Sequence, residues 1–177
     1  NSLESQSEKI ASLESLDTGK PISLARAVDA ARSVTNFRFF AKFAKDYTDE
    51  KFEMEDAVNH VILKPVGIAG LITPWNLPLY LLSWKIAPAI VMGNTVVAKP
   101  SELTPLTANL LAEVIDEVGL PAGVVNIVHG SGSEAGQAIV EHPEISLISF
   151  TGSTATGKKV AATAAPMFKK LSLELGG

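Results

Sequence analysis

At 177 residues the chain is about one domain long, enough to bury a sizeable core. Hydrophobic residues make up 46% and charged residues 19%, the balance usual for soluble globular proteins, and a net charge of -4 excludes nucleic acid as the main partner, because phosphate binding needs a basic surface. With no cysteine, this stretch holds no disulfide, thiolate metal site or cysteine nucleophile.

Asn1–Ile10 is polar and lacks an apolar signal core. Leu3, Ile10, Leu13 and Leu16 then recur at near-helical spacing, and Asp17-Thr18-Gly19-Lys20-Pro21 stops that first helix. A second helix is expected from about Leu24 to Tyr47, with an apolar stripe of Ala27, Val28, Ala31, Val34, Phe37, Ala41 and Ala44. Between Asp49 and Val66, Val58, His60 and Ile62 alternate with Asn59, Val61 and Leu63, as on an extended arm or hairpin. The most apolar region, Leu77–Ala98, is broken by Lys85, Pro88, Gly93 and Asn94, whereas a membrane span needs about 20 unbroken apolar residues. A cytoplasmic protein without a membrane partner is therefore expected.

From Gly67 the rhythm is strand, helix, strand, helix. Strands are expected at Gly67–Ile72, Thr95–Ala98, Val124–Val128, Leu147–Thr151 and Leu171–Leu175. Helices fall between them, over about Leu79–Met92 and Thr104–Val118, then from about Glu134 and from about Ser153. This predicts an α/β protein with a doubly wound, Rossmann-like parallel sheet. The chain opens on Asn1 rather than methionine and stops at Gly176-Gly177 just after a strand-like run, which predicts a piece of a longer protein.

Ligands of such sheets bind at the carboxyl ends of the strands, so the turns after them matter most. They carry Thr73-Pro74-Trp75-Asn76-Leu77-Pro78, Lys99-Pro100-Ser101-Glu102, His129-Gly130-Ser131-Gly132 with Gly136 beyond, and Thr151-Gly152-Ser153 with Gly157 beyond. The last strand ends in Glu174-Leu175-Gly176-Gly177. In this order and spacing the segments resemble the aldehyde dehydrogenase superfamily, from Leu16-Asp17-Thr18-Gly19-Lys20-Pro21 onward. Each segment alone is a weak signal, but five in register are specific.

The resemblance implies that residues 1–177 are the NAD-binding domain, with about 49–66 an oligomerisation arm and the catalytic domain absent. It implies cofactor contacts at Ile72, Thr73, Pro74, Trp75, Lys99, Ser101, Glu102, Gly132, Gly136, Thr151, Gly152, Ser153, Leu175 and Gly176. Asn76 is flanked by Pro74 and Pro78, which fix the backbone on both sides. An amide held so rigidly can donate to an oxyanion, the role of the matching asparagine in the superfamily; capping of the following helix is the alternative. A carboxylate at Glu102 can accept from ribose hydroxyls and would repel a 2′-phosphate, favouring NAD over NADP, with Lys99 donating to the same ribose. A plain surface Lys–Glu pair is the other reading. Gly152 and Ser153 open a helix whose N-terminus can meet a pyrophosphate, or Ser153 is only a cap. Gly130, Gly132 and Gly136 permit close approach near the adenine, or serve only as turn residues.

Glu174 ends an apolar strand, where partial burial is expected to raise a carboxyl pKa and suit it to general-base work. The superfamily's matching glutamate activates the water that hydrolyses the acyl-enzyme. A relative that passes its acyl group to coenzyme A or phosphate would have no use for that base. The resemblance places the nucleophilic cysteine further along the chain, so these residues alone are expected to bind cofactor at best. A naturally short, non-catalytic nucleotide-binding or assembly module is the alternative.

The segment Pro74–Lys85 most resembles enzymes acting on muconic semialdehydes. By that analogy Leu77, Tyr80, Leu81 and Trp84 line the aldehyde tunnel as neighbours on one helix face. Arg32 could grip a substrate carboxylate bidentately, or be an exposed helical arginine. Unpaired strand edges in the arm, together with the use relatives make of this region, imply a homodimer or homotetramer. His60, His129 and His142 show no ligand spacing, so no metal is expected.

Overall fold

The structure is a computed structural model and describes residues 1–176. Gly177, the last residue of the glutamate–diglycine segment, lies outside the described residues. Helix α1 (Ser2–Ser5) leads into α2 (Ser7–Thr18), which Gly19 ends in the left-handed conformation at φ 73°. Past Pro21 the chain is helical without a break through α3 (Ile22–Leu24), a π-helical turn at Ala25–Ala30 and α4 (Ala31–Asp46). The expected long helix is present, but the wider π turn shifts its buried stripe. Ala25, Asp29, Ala30, Ser33, Val34 and Asn36 are buried, whereas Ala27, Ala31 and Ala41 are exposed. In α2, Leu16 is exposed and Glu14 is fully buried, reversing the expectation for that turn.

Strands β1 (Glu50–Glu53) and β2 (Val58–Val61) pair antiparallel as a hairpin whose every strand residue is exposed. The main sheet follows as β3 (Ile68–Ile72), α5 (Pro78–Val91), β4 (Thr95–Lys99), α6 (Leu106–Glu117) and β5 (Val125–Ile127). A π turn at Gly132–Gly136 runs into α7 (Gln137–Glu141), then come β6 (Ile145–Gly152), α8 (Thr154–Ala164) and β7 (Lys170–Leu175). The five strands lie in the order β5-β4-β3-β6-β7, every neighbouring pair parallel. This is the doubly wound sheet expected from the alternation of apolar runs.

Side chains alternate across the sheet as the two-residue strand period requires. Ala69, Leu71, Val96 and Ala98 face a core built with Ile10 of α2, Leu79, Leu82 and Ile86 of α5, and Leu110 and Leu111 of α6. On the opposite face Ile72, Ile148 and Phe150 pack with Ile139 and Val140 of α7 and Val160 of α8. The chain leaves β3 toward β4 and β5, then returns to add β6 and β7 on the other side. The carboxyl ends of β3 and β6 therefore flank the topological switch point, where a sheet of this kind opens a crevice. No helix among the described residues is long and apolar enough to cross a membrane.

Candidate active site

Thr73, immediately past β3, is buried; its N–H donates to the Lys99 carbonyl at 3.2 Å. Its Oγ1 is buried with no hydrogen-bond partner among the described residues. The chain then surfaces, with Trp75 and Asn76 exposed. Leu77 is the N-cap residue of α5, and its own side chain makes no capping hydrogen bond. The capping role considered for Asn76 is thus not taken up, and its amide stays outside the helix's hydrogen bonding. Pro78 at the first helical position needs no acceptor, and the N–H of Leu79 donates to Glu14 Oε1 at 2.9 Å.

Past β4, Lys99 is almost wholly buried, and its Nζ donates to Glu102 Oε2 at 2.7 Å and to the Pro100 carbonyl at 3.2 Å. The hydrogen bond from the Lys99 ammonium holds the Glu102 carboxyl below its ordinary pKa. Glu102 itself is exposed, so this is a half-sunken pair at a strand end rather than a surface pair. Ser101 is buried, its Oγ accepting from the Leu103 N–H at 3.2 Å.

Two hollows lie along this edge. One, about 430 Å³, is lined by Ile72 and Phe150 of the sheet, Gly132, Gly136 and Gln137 of the α7 segment, and Thr156, Lys159 and Val160 of α8. The other, about 620 Å³, brings Pro74, Trp75 and Asn76 against Thr151, Gly152, Ser153, Glu174, Leu175 and Gly176. Ser153 caps α8, its Oγ accepting from the Thr156 N–H at 3.1 Å. Thr154 Oγ1 donates to the Gly176 carbonyl at 2.7 Å, tying the end of β7 to the start of α8. The predicted catalytic pair thus shares one cleft with the β6–α8 turn.

Glu174 departs from expectation in one respect: it is exposed rather than partly buried. Its strand is the sheet's edge, which leaves the side chain open to solvent. On its other side Glu174 borders a third hollow of about 300 Å³, with Phe40, Trp84, Lys85, Ser149 and Ser172. Lys85 is buried there and donates to Ser149 Oγ at 2.7 Å; burial lowers its pKa to about 8, opposed by the charge of Glu174.

Leu77, Tyr80 and Leu81 are half-buried and Trp84 is exposed, so this face of α5 is available to a ligand. Beside it α4 runs in step: Asn36 Nδ2 donates to the Tyr80 carbonyl at 3.2 Å and to Ser83 Oγ at 2.9 Å, and Phe40 meets the Trp84 ring edge-on at 5.6 Å. Arg32 precedes Asn36 by four residues on α4 and is exposed.

The family model described as "Aldehyde dehydrogenase family" matches residues 1–177. The chain belongs to the aldehyde dehydrogenase family. It is 55% identical over 177 residues to 2-aminomuconic semialdehyde dehydrogenase of Homo sapiens, covering 99% of this chain and 36% of that protein. It is 49% identical over 170 residues to 2-hydroxymuconic semialdehyde dehydrogenase of Pseudomonas sp. strain CF600, covering 93% and 35%. Among solved structures, PnpE of Pseudomonas sp. WBC-3 in complex with nicotinamide adenine dinucleotide superposes with a TM-score of 0.95 at 45% identity, covering 99% of this chain and 36% of that one. The chain thus spans about a third of the length of the aldehyde dehydrogenases it matches.

Two features of this aldehyde dehydrogenase chain were not legible in its sequence. Lys85 read only as a break in an apolar run. Glu14 sits at an apolar-stripe position, and its burial depends on partners 65 and 93 residues away, the Leu79 N–H and Thr107 Oγ1. A charged residue inside an apolar stripe was the one available signal for either.

Proposed function

We propose that the full-length protein oxidises an aldehyde to a carboxylic acid with NAD and releases the acid by hydrolysis. The observation that carries this is the single cleft holding Asn76, Glu174 and the Gly152–Ser153 turn at the switch point of the sheet. Asn76, held between two prolines, donates its amide to the oxygen of the aldehyde as negative charge develops there. Glu174, exposed to the cleft, takes the proton of the water that cleaves the acyl group from its carrier. That carrier, a cysteine thiolate in this reading, is not among the 177 residues.

The residues present fit a dinucleotide. Thr73 Oγ1 is buried at the strand end with no hydrogen-bond partner among the described residues, and a Cβ on Gly132, which lines the 430 Å³ hollow, would meet nothing within 4 Å. Lys99 and Glu102 would hold the adenosine ribose, Gly132 and Gly136 would admit the adenine, and Gly152 and Ser153 would face the pyrophosphate. Ile72 through Trp75, Ser101, Thr151, Leu175 and Gly176 would be the further cofactor contacts in this reading. NAD supplies the hydride acceptor when bound; the chain's own part is to bind, orient and donate.

Two observations support a small acidic semialdehyde as substrate. Two of the relatives named above are muconic semialdehyde dehydrogenases, and Arg32 is exposed on the helical segment whose Asn36 and Phe40 meet α5 at Tyr80, Ser83 and Trp84. A guanidinium there pairs with a carboxylate at the far end of the aldehyde.

Steady-state kinetics of the full-length protein with NAD test both parts. Asn76→Ala lowers kcat by roughly 100- to 1000-fold. Glu174→Gln keeps a first-turnover burst of NADH and loses the steady state. Arg32→Ala lowers kcat/KM for acidic aldehydes about 10- to 100-fold and spares neutral ones. Normal kcat in Asn76→Ala overturns the mechanism, and an unchanged acidic-to-neutral ratio in Arg32→Ala overturns the substrate class.

A further inference from the structure

Beneath the Asn76 turn lies a buried charge cluster that the mechanism above does not use. Glu14 of α2 and Asp29 of the first π turn are both fully buried, and Lys20 is the cation between them. Lys20 Nζ donates to Asp29 Oδ1 at 2.7 Å and lies 3.8 Å from Glu14 Oε2. Its remaining contact leaves the cluster: Nζ donates to the main-chain carbonyl of Asn76 at 3.1 Å.

The lysine is itself held. The left-handed turn at Gly19 aims it, the Ser15 hydroxyl donates to its carbonyl at 2.8 Å, and its N–H donates to Thr18 Oγ1 at 3.4 Å. Glu14 meanwhile accepts from the N–H of Leu79, so one cluster grips the active-site turn at residue 76 and again at residue 79. Nothing local does this, since the Leu77 side chain makes no capping hydrogen bond.

We propose that Lys20 is a positioning residue: its charge-assisted hydrogen bond to the Asn76 carbonyl fixes the peptide from which the Asn76 amide projects. The proposal rests on the reading of Asn76 as oxyanion donor. A merely structural ion pair would need only Asp29. The third contact, to the very residue whose amide must be aimed, is what a structural role leaves without purpose. The ammonium charge makes this bond stronger than one between neutral groups, and it is the contact of Lys20 that faces the exposed side of the turn.

A double-mutant cycle in the full-length enzyme tests it, with kcat, the NAD dissociation constant and Tm measured for Lys20→Met, Asn76→Ala and the two combined. Lys20→Met is expected to lower kcat about 100-fold, the cost of misplacing a reacting group by about an ångström, with NAD affinity unchanged. In the Asn76→Ala background the same change should cost nothing further, because no amide remains to aim. Equal losses in both backgrounds, or no loss in either, overturn the proposal. Lys20→Met strands the Asp29 charge and can unfold the chain. Lys20→Met with Asp29→Asn and Glu14→Gln removes all three ionisable groups and must still lose kcat; recovery to the wild-type value would assign the loss to a stranded anion and overturn the proposal. Normal kcat in Asn76→Ala alone would instead sink the parent mechanism, and this proposal with it.

Discussion

Lys85 carries an ammonium where the fold has little water to offer it. Burial moves its pKa from 10.5 to about 8, and the Glu174 charge across the shared hollow works in the opposite direction. Neutralising that charge in Glu174→Gln therefore lowers the Lys85 pKa further, below about 8, which NMR titration of isotopically dimethylated lysine in the full-length protein would read. No change in the titration would separate the two groups. The sign for stability follows from linkage: the folded-state pKa lies below the unfolded one, so the unfolded chain binds the extra proton between the two. Stability is then lost as pH falls from 10.5 toward 8. Glu14 has the opposite sign, since burial raises its pKa and stability is lost as pH rises through the raised value. Neither behaviour could be read along the chain. The neighbours that bury Lys85 and Glu14 lie more than 60 residues away, at Ser149 and Leu79.

The elements were more legible than the residues within them. Each apolar run from Gly67 onward became a strand or helix within a residue or two, because punctuation by Gly and Pro is local. Strand order is not local, and it made Glu174 an exposed edge residue where an apolar strand end had suggested cover. The π turn at Ala25–Ala30 likewise shifted the stripe of the second helix, and regular spacing cannot announce an irregular turn. Gly70 shows what a strand interior conceals. It sits at the centre of β3, paired with Val97 and Ile148, where a side chain would ordinarily strengthen the strand. A Cβ there would lie 2.5 Å from Ile139 Cγ2, 2.9 Å from Ile148 Cδ1 and 3.2 Å from Ile145 Cγ2. All three isoleucines are buried and cannot swing into solvent. Gly70→Ala is therefore expected to destabilise the fold by about 1–3 kcal/mol. Urea unfolding of wild type and variant checks this, and an unchanged midpoint would mean that α7 can retreat from the sheet at no cost.

At the scale of the whole molecule, the hairpin is the part whose shape asks for something outside the chain. A two-stranded sheet is marginal by itself in water, and here every residue of both strands is exposed. Phe52, Met54, Val58, Val61, Ile62 and Leu63 are each 45% exposed or more, an apolar concentration that ordinarily marks an interface. The outer edges of β1 and β2 are also left without a strand to pair with in the main sheet. We propose a second copy as the partner, giving the homodimer or homotetramer expected from the arm. Burying an unpaired charge in such an interface costs several kcal/mol, enough to raise a dissociation constant at least about 100-fold. Phe52→Glu with Val61→Glu, two like charges that cannot pair with each other, should therefore shift the full-length protein toward the mass of one protomer in light scattering. Far-ultraviolet circular dichroism should change little, because the five-stranded core does not depend on the hairpin for its own packing. If the mass stays that of the wild-type assembly, the subunits meet elsewhere and the exposed hairpin has another partner.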